Sequence, residues 1–357
     1  LPTRQAVGGF HPQSPALAVS DTTGFSRWSI HFATTAVAIV IGLVLANIVQ
    51  PGLGLNLSVE NLKAREAVPP SLSQVLLNIV PVNPVEAQSK GNMLQIIFFA
   101  VLLGFSISYC GEKARTVISF FDGMSEVMVR LTTIVMIYAP VGVFGLMAFT
   151  VASHGLGVLL PLLKLLGAMY AACLFQILLV YLPLARWSGL APSSFMRGLS
   201  EPLFIAFTTC SSAAALSSNM MSVRKIGASR NVAAFSIPLG NTINMDGAAI
   251  YMGVTAIFAA EVYGIPMPLG TQLTVVLMGM LASIGSMGVP GAALIMVTMV
   301  FTQVGIPLEA VALVAGIDRI MDMARTTINV LGDATGAIFV SRLENELSPA
   351  QDANPEK

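Results

Sequence analysis

The strongest constraint on this chain is the stretch from Leu156 to Leu182, apolar almost throughout and carrying one charged side chain, Lys164. It exceeds the roughly 20 residues with which a helix crosses a bilayer. Trp28–Gln50 and Asn92–Tyr109 contain no charged residue at all. A soluble helical core of this size would need a polar exterior. Only 10% of the 357 residues are charged, against about 25% in soluble domains, and 55% are hydrophobic, with a mean hydropathy of +0.79. The pattern predicts an all-α, polytopic membrane protein. Zero net charge and the lack of a basic block exclude a nucleic-acid partner. Cys110, Cys173 and Cys210 have no paired spacing, so neither a disulfide framework nor a zinc site is expected. Leu1–Thr23 lacks the basic and apolar regions of a signal peptide.

After a polar lead (residues 1–27), Trp28–Gln50 reads as the first span, ended by Pro51–Gly54. A loop through Lys63, Arg65, Pro69 and Pro70 leads to a short apolar piece, Leu72–Val80, interrupted by Pro81 and Pro84. Asn92–Tyr109 is the next span. Val117–Val151 reads as one long helix bent at Pro140, with Asp122, Glu126 and Arg130 on one side. Leu159–Leu182 is a span that Pro183 should end.

Three apolar stretches follow, each broken mid-way by small polar residues. They are Phe195–Met221 (broken at Thr208–Ser218), Val232–Val262 (at Gly240–Gly247) and Leu269–Phe301 (at Ser283–Gly291). Unwound backbone at membrane depth persists only when buried in protein or lining a cavity, so three breaks point to a built site. Leu308–Val340 reads as a final long helix before a polar tail. With the first and third broken stretches as re-entrant hairpins, Arg27, Lys113, Arg115, Arg186, Arg197, Arg224, Lys225, Arg230 and Arg342 fall on one side. Lys63, Arg65, Lys90 and, at the start of its span, Lys164 fall on the other, and the richer side is expected to be cytoplasmic.

The last helix carries the sharpest chemical signal. Asp318, Asp322, Arg325, Asn329 and Asp333 lie within about 80° of one another around a helix. Charged residues on one face of a membrane helix normally face a partner or pathway. Simple neutralisation of Asp322 by Arg325 would leave Asp318, Asn329 and Asp333 unexplained, while Arg319 lies off the stripe. Asn244 and Asp246, between Gly240 and Gly247, add freed carbonyls and a carboxylate, a hard oxygen set suited to Na+. The small-residue tips Ser211–Ala215 and Ser283–Gly291 would leave backbone N–H groups free for an anion.

From Trp28 to Arg342 these motifs resemble the glutamate transporter family, the dicarboxylate/amino acid:cation symporters. The resemblance implies an inverted-repeat fold in a homotrimer, with an elevator-like cycle in the plasma (cell inner) membrane. Residues 28–50 and 159–342 would form the mobile transport domain, with hairpins at about 194–224 and 269–303. Residues 72–152 would belong to the scaffold and trimer contact, and 343–357 to a cytoplasmic tail. Two membrane helices usual in the family before Trp28 have no counterpart, so the chain is expected to be part of a longer protein. By resemblance, Arg325 clamps the substrate's side-chain carboxylate and Asp322 receives its amino group. Thr326 and Asn329 add side-chain ligands, and Ser212 and Gly288 backbone groups. Cation ligands by resemblance are Asp333, Asn329, Gly240 and Asn244 in one cage, and Asp246, Asn244, Thr34 and Thr35 in a second. Thr242, Ser283, Ile284 and Ser286 would supply a third, mostly with carbonyls.

The expected function is symport of L-glutamate or L-aspartate with Na+, with no organic cofactor. Asp322 argues for an amino acid over succinate or malate, and Arg325 argues against serine or alanine. Ala248, Ala213, Ser217 and Cys210 depart from the family's usual residues, and Met252 stands where proton-coupled relatives carry a glutamate. The alternatives are a proton-coupled glutamate/aspartate or C4-dicarboxylate symporter, or a sodium-coupled neutral amino acid carrier. An intramembrane aspartyl protease would place its two aspartates on facing helices, and a dedicated channel would need a continuous polar path.

Overall fold

Charge-free apolar runs leave the backbone in a bilayer no partner but itself, and helices meet that demand. The computed structural model describes residues 22–55, 80–284 and 291–347, and among them it contains helices and no strand. The first span is α1, Thr22–Val49, which begins before the expected Trp28 and stops short of Pro51. Apart from Val80, the apolar piece Leu72–Val80 lies outside the described residues. The short α2, Pro84–Ser89, starts at Asn83, whose side chain accepts from the N–H groups of Val85 and Glu86. The second span is α3, Met93–Cys110.

Val117–Val151 is not one bent helix but two, α4 (Arg115–Ile137) and α5 (Ala139–His154). Pro140 has no N–H to give to the carbonyl four residues back, and its ring crowds that carbonyl. The first helix therefore stops at Ile137 and a new one starts with proline in its first turn, through Tyr138, whose backbone stays right-handed (φ −85°, ψ −8°). Pro183 does the reverse of what was expected. The span α6, Leu159–Gln176, passes through a π turn at Ile177–Tyr181 into α7, Leu182–Trp187. Widening by one residue, with Leu182 N–H donating to Ile177 C=O, lets the helix absorb the proline.

After α8 (Pro192–Gly198), α9 (Ser200–Thr209) and α10 (Ser212–Lys225) pack side by side as a hairpin. Its break is narrower than Thr208–Ser218, comprising only Cys210 and Ser211. Cys210 adopts a left-handed conformation (φ 55°) and the Ser211 hydroxyl accepts from Ala214 N–H at 3.2 Å, capping α10. The break between α11 (Arg230–Ile243) and α12 (Asp246–Val262) is likewise only Asn244–Met245. Small polar side chains next to each break keep their backbone bonds, so the helices extend further than polarity alone suggested. The arms of the second hairpin are α13 (Leu269–Ile284) and α14 (Ala292–Val304), again in mutual contact. The final helix is not continuous from Leu308. It divides into α15 (Glu309–Ala315) and α16 (Asp318–Leu343), and Met147 of α5 packs its sulfur against the intervening Gly316.

Every residue of α12 except Glu261 is buried, as expected for a helix apolar all round. It packs along α1, α6, α13, α14 and α16. Close approach to α1 needs Gly42, where a Cβ would stand 2.8 Å from Ile250 C=O. Helices α9 to α12 all pack on α16, so the first hairpin and the Asn244–Met245 break converge on it. By contrast α3, α4 and α5 leave large apolar side chains such as Phe105, Phe120 and Phe144 exposed. Among the described residues four helical segments, Ser29–Val49, Gln95–Met128, Leu156–Trp187 and Arg230–Val262, are long and apolar enough to cross a membrane, which makes this a multi-pass membrane protein.

Candidate functional site

The division at Gly316–Ile317 makes Asp318 the first residue of α16, where the helix N-terminus favours negative charge. One and two turns on, Asp322 and Arg325 follow on the same face. Arg325 Nη1 lies 3.2 Å from Asp318 Oδ1, and Nη2 lies 2.8 Å from Asp322 Oδ1. Its Nε also donates to Asp322 Oδ1 at 3.1 Å. The guanidinium stands over the Tyr251 ring, 4.5 Å from the centroid, a placement that favours a cation. Asp318, Asp322 and Arg325 are all buried. The pairing of Asp322 with Arg325 that spacing alone allowed is therefore formed, and Asp318 joins it instead of standing unexplained. Three of the guanidinium's five N–H donors are engaged in these contacts.

Asp322 is a junction. Its Oδ1 also accepts from the Thr326 hydroxyl at 3.0 Å, and Oδ2 accepts from Gly291 N–H at 3.2 Å. Gly291 lies at the start of α14 with φ 78°, so the second hairpin reaches the charged stripe of α16 here. Ser286 and Gly288 of that hairpin lie outside the described residues. One turn beyond Thr326, Asn329 Oδ1 accepts from Gly247 N–H at 2.8 Å, and its amide donates to Met245 Sδ. Gly247 lets α12 rest on α16, because a Cβ there would collide with Arg325 C=O.

Asp333 and Asp246 belong to a second polar group, deeper along α16. Asn244 Nδ2 donates to Asp333 Oδ1 at 3.1 Å, and Gly240 is so close that a Cβ would stand 2.6 Å from that oxygen. Asp246 Oδ1 accepts from Thr35 at 2.5 Å and lies 3.4 Å from the Thr34 hydroxyl, which is also 3.3 Å from Asn244 Oδ1. Asp246 Oδ2 accepts from Tyr181 at 2.7 Å and from Gln176 at 3.4 Å. The partners these bonds give Asp246 and Asp333 are hydroxyls and amides, none of them cationic. Buried carboxylates without a counter-charge are costly, and this set of hydroxyl, amide and carboxylate oxygens fits a hard monovalent cation. Among the described residues no three His, Cys, Asp or Glu side chains gather as a transition-metal site would need.

The structure thus brings together Asp318, Asp322, Arg325 and Thr326 in one group, and Thr34, Thr35, Asn244, Asp246, Gly240 and Asp333 in another, with Asn329 between them. Ser212 is buried at the start of α10, its hydroxyl without a partner among the described residues. Ser283 is buried but turns its hydroxyl onto Met280 C=O at 2.7 Å, at the end of α13, which Ile284 closes. Thr242 is exposed, bonding Pro238 C=O at 3.2 Å, so its side chain faces away from the cluster.

Sequence reasoning passed over Gln176, Tyr181, His31 and Tyr251. His31 is buried against Gly336, and its Nε2 finds no partner among the described residues. All four are polar side chains inside apolar spans, a usable signal in itself. Gly291 belongs to the tip whose N–H groups were expected to be free for an anion, and its N–H goes to the carboxylate of Asp322.

Residues 18–343 match the sequence signature of the sodium:dicarboxylate symporter family. The chain is 39% identical over 320 residues to the proton/sodium-glutamate symport protein of Geobacillus stearothermophilus, covering 87% of this chain and 76% of that one. It is 39% identical over 323 residues to the proton/glutamate-aspartate symporter of Escherichia coli (87% and 74%). To the C4-dicarboxylate transport protein of Rhizobium johnstonii it is 37% identical over 331 residues (90% and 74%). Helical fold, broken helices and sequence agree, and the chain belongs to the sodium:dicarboxylate symporter family.

Proposed function

We propose that this chain carries out secondary active symport of an acidic amino acid, L-glutamate or L-aspartate, driven by Na+. The observation that carries the reading is the buried Asp318–Arg325–Asp322 group lying on the same helix as Asp333, around which a separate oxygen-rich group gathers with Asp246. In this reading the substrate's side-chain carboxylate takes the Arg325 guanidinium, whose planar fork matches it. The substrate's ammonium goes to Asp322, with Thr326 and Asn329 beside it, and Ser212 and Gly288 offer backbone groups to the main carboxylate. Na+ goes to Asp333 with Asn329, Gly240 and Asn244, and to Asp246 with Asn244, Thr34 and Thr35. Carbonyls of Thr242, Ser283, Ile284 and Ser286 serve a further ion. Neutralising Asp246 and Asp333 with cations makes ion and substrate binding interdependent.

The reading places the helices from α6 onward, with α1, in a moving transport domain. The exposed apolar faces of α3, α4 and α5 meet lipid and the other copies of a homotrimer in the cell membrane. A second reading, coupling to H+ or transport of C4-dicarboxylates, is favoured by the relatives named for proton/glutamate-aspartate symport and for C4-dicarboxylate transport. Competition against labelled aspartate decides the substrate. The reading expects unlabelled glutamate or aspartate to displace it, and serine and succinate to leave it bound. Displacement by succinate at equal concentration would favour the dicarboxylate.

A further inference from the structure

Outside the groups already assigned to substrate and cation, the most constrained polar feature is the π turn at Ile177–Tyr181. In an α-helix, residues five apart point about 140° away from each other. Where the turn closes with an i→i+5 bond, they return to the same face. Gln176 and Tyr181 are five apart and both fully buried, and the π turn between them aims both at one oxygen, Asp246 Oδ2, at 3.4 and 2.7 Å. Gln176 also donates to Thr34 C=O at 3.3 Å, on the helix that supplies the two threonine hydroxyls. The Tyr181 hydroxyl has a single proton and a second acceptor in reach, Ile328 C=O at 3.3 Å, next to Asn329. Room for the junction comes from Gly332, where a Cβ would stand 2.8 Å from the Tyr181 oxygen.

We propose that Tyr181, with Gln176, is a positioning residue for cation coupling: held by the π turn, it fixes Asp246 Oδ2 so that Oδ1 faces Thr34 and Thr35. It also links that carboxylate to α16 at Ile328. A cation drawing Asp246 inward weakens the Tyr181–Asp246 bond and shifts the hydroxyl towards Ile328 C=O, beside the substrate ligand Asn329. Without the tyrosine hydroxyl, Asp246 is free to turn, and cation affinity falls while the substrate ligands themselves are untouched. The proposal rests on the reading of Asp246 as a cation ligand.

The test uses the purified full chain, with Na+ as probe and choline as ionic-strength control. It measures binding of radioactive Na+ and the dependence of labelled aspartate binding on Na+ concentration. Tyr181→Phe, which removes one oxygen, is expected to raise the Na+ midpoint about tenfold, within the range of linked sites. Aspartate affinity at saturating Na+ and the melting temperature without Na+ should stay near those of the unaltered protein. Gln176→Leu should shift the midpoint in the same direction, and carries the same test should the tyrosine variant not be recovered folded. A midpoint within twofold of the unaltered protein in both variants would overturn the proposal. So would an equal loss of aspartate affinity at saturating Na+, which marks a merely structural role. An unaltered chain indifferent to Na+ would contradict the cation reading and this proposal together, whereas a Na+-responsive chain with unshifted variants contradicts the proposal alone.

Discussion

Arg325 holds two carboxylates of its own helix and lies against Tyr251, so its removal acts twice. It deletes the group that, on the proposed reading, receives a substrate carboxylate, and leaves Asp318 and Asp322 buried together without a counter-charge. Breaking a buried pair in this way costs about 3–5 kcal/mol, so Arg325→Ala should weaken acidic amino-acid binding by more than about 100-fold. Equilibrium binding of labelled aspartate checks this, and unchanged affinity would contradict the role. Asp333→Asn keeps the shape and removes the charge next to Asn244. It should lower Na+ affinity about tenfold and, by linkage, weaken substrate binding at limiting Na+ but not at saturation. Which α16 residues share a face was legible from spacing alone, because a helix fixes it. That Asp318 pairs with Arg325 was not, since spacing gives a face but no rotamer. Gln176 and Tyr181 were hidden for another reason, as a π turn changes the register on which face assignments depend.

At the scale of elements, small polar runs in the sequence located the first two breaks but overstated their length. Thr208–Ser218 became Cys210–Ser211 because a helix stops only where the backbone itself changes, here at the left-handed Cys210. Prolines misled in both directions. Pro140 divides a helix that was expected merely to bend, while Pro183 is absorbed by the π turn before it. The seam between α12 and α16 depends on Gly247, whose Cα faces Arg325 C=O. Gly247→Ala should force the two helices apart at a cost of about 1–3 kcal/mol. The expected result is a lower melting temperature and weaker aspartate binding together, because the same shift moves Asn329 away from Gly247 N–H. A variant that melts like the unaltered protein would show that the seam is looser than its geometry indicates.

For the whole molecule, composition made the membrane class legible, since too few charged residues exist to cover a soluble surface. The partition of polar residues into two groups along α16 was only half legible, because Asn244 and the threonines of α1 reach it through tertiary packing. The proposed homotrimer, whose contacts the exposed apolar faces of α3, α4 and α5 leave room for, gives the expectation that the purified protein has the mass of three copies, which light scattering in detergent measures. The central claim is coupling, an acidic amino acid carried uphill by Na+ through one buried site. Its most direct test is uptake of labelled aspartate into liposomes containing the purified protein, under Na+ and pH gradients imposed separately. Accumulation above equilibrium when only the Na+ gradient is present is the predicted result. Accumulation driven by the pH gradient alone without Na+, or flux that only runs downhill to equality, would contradict it.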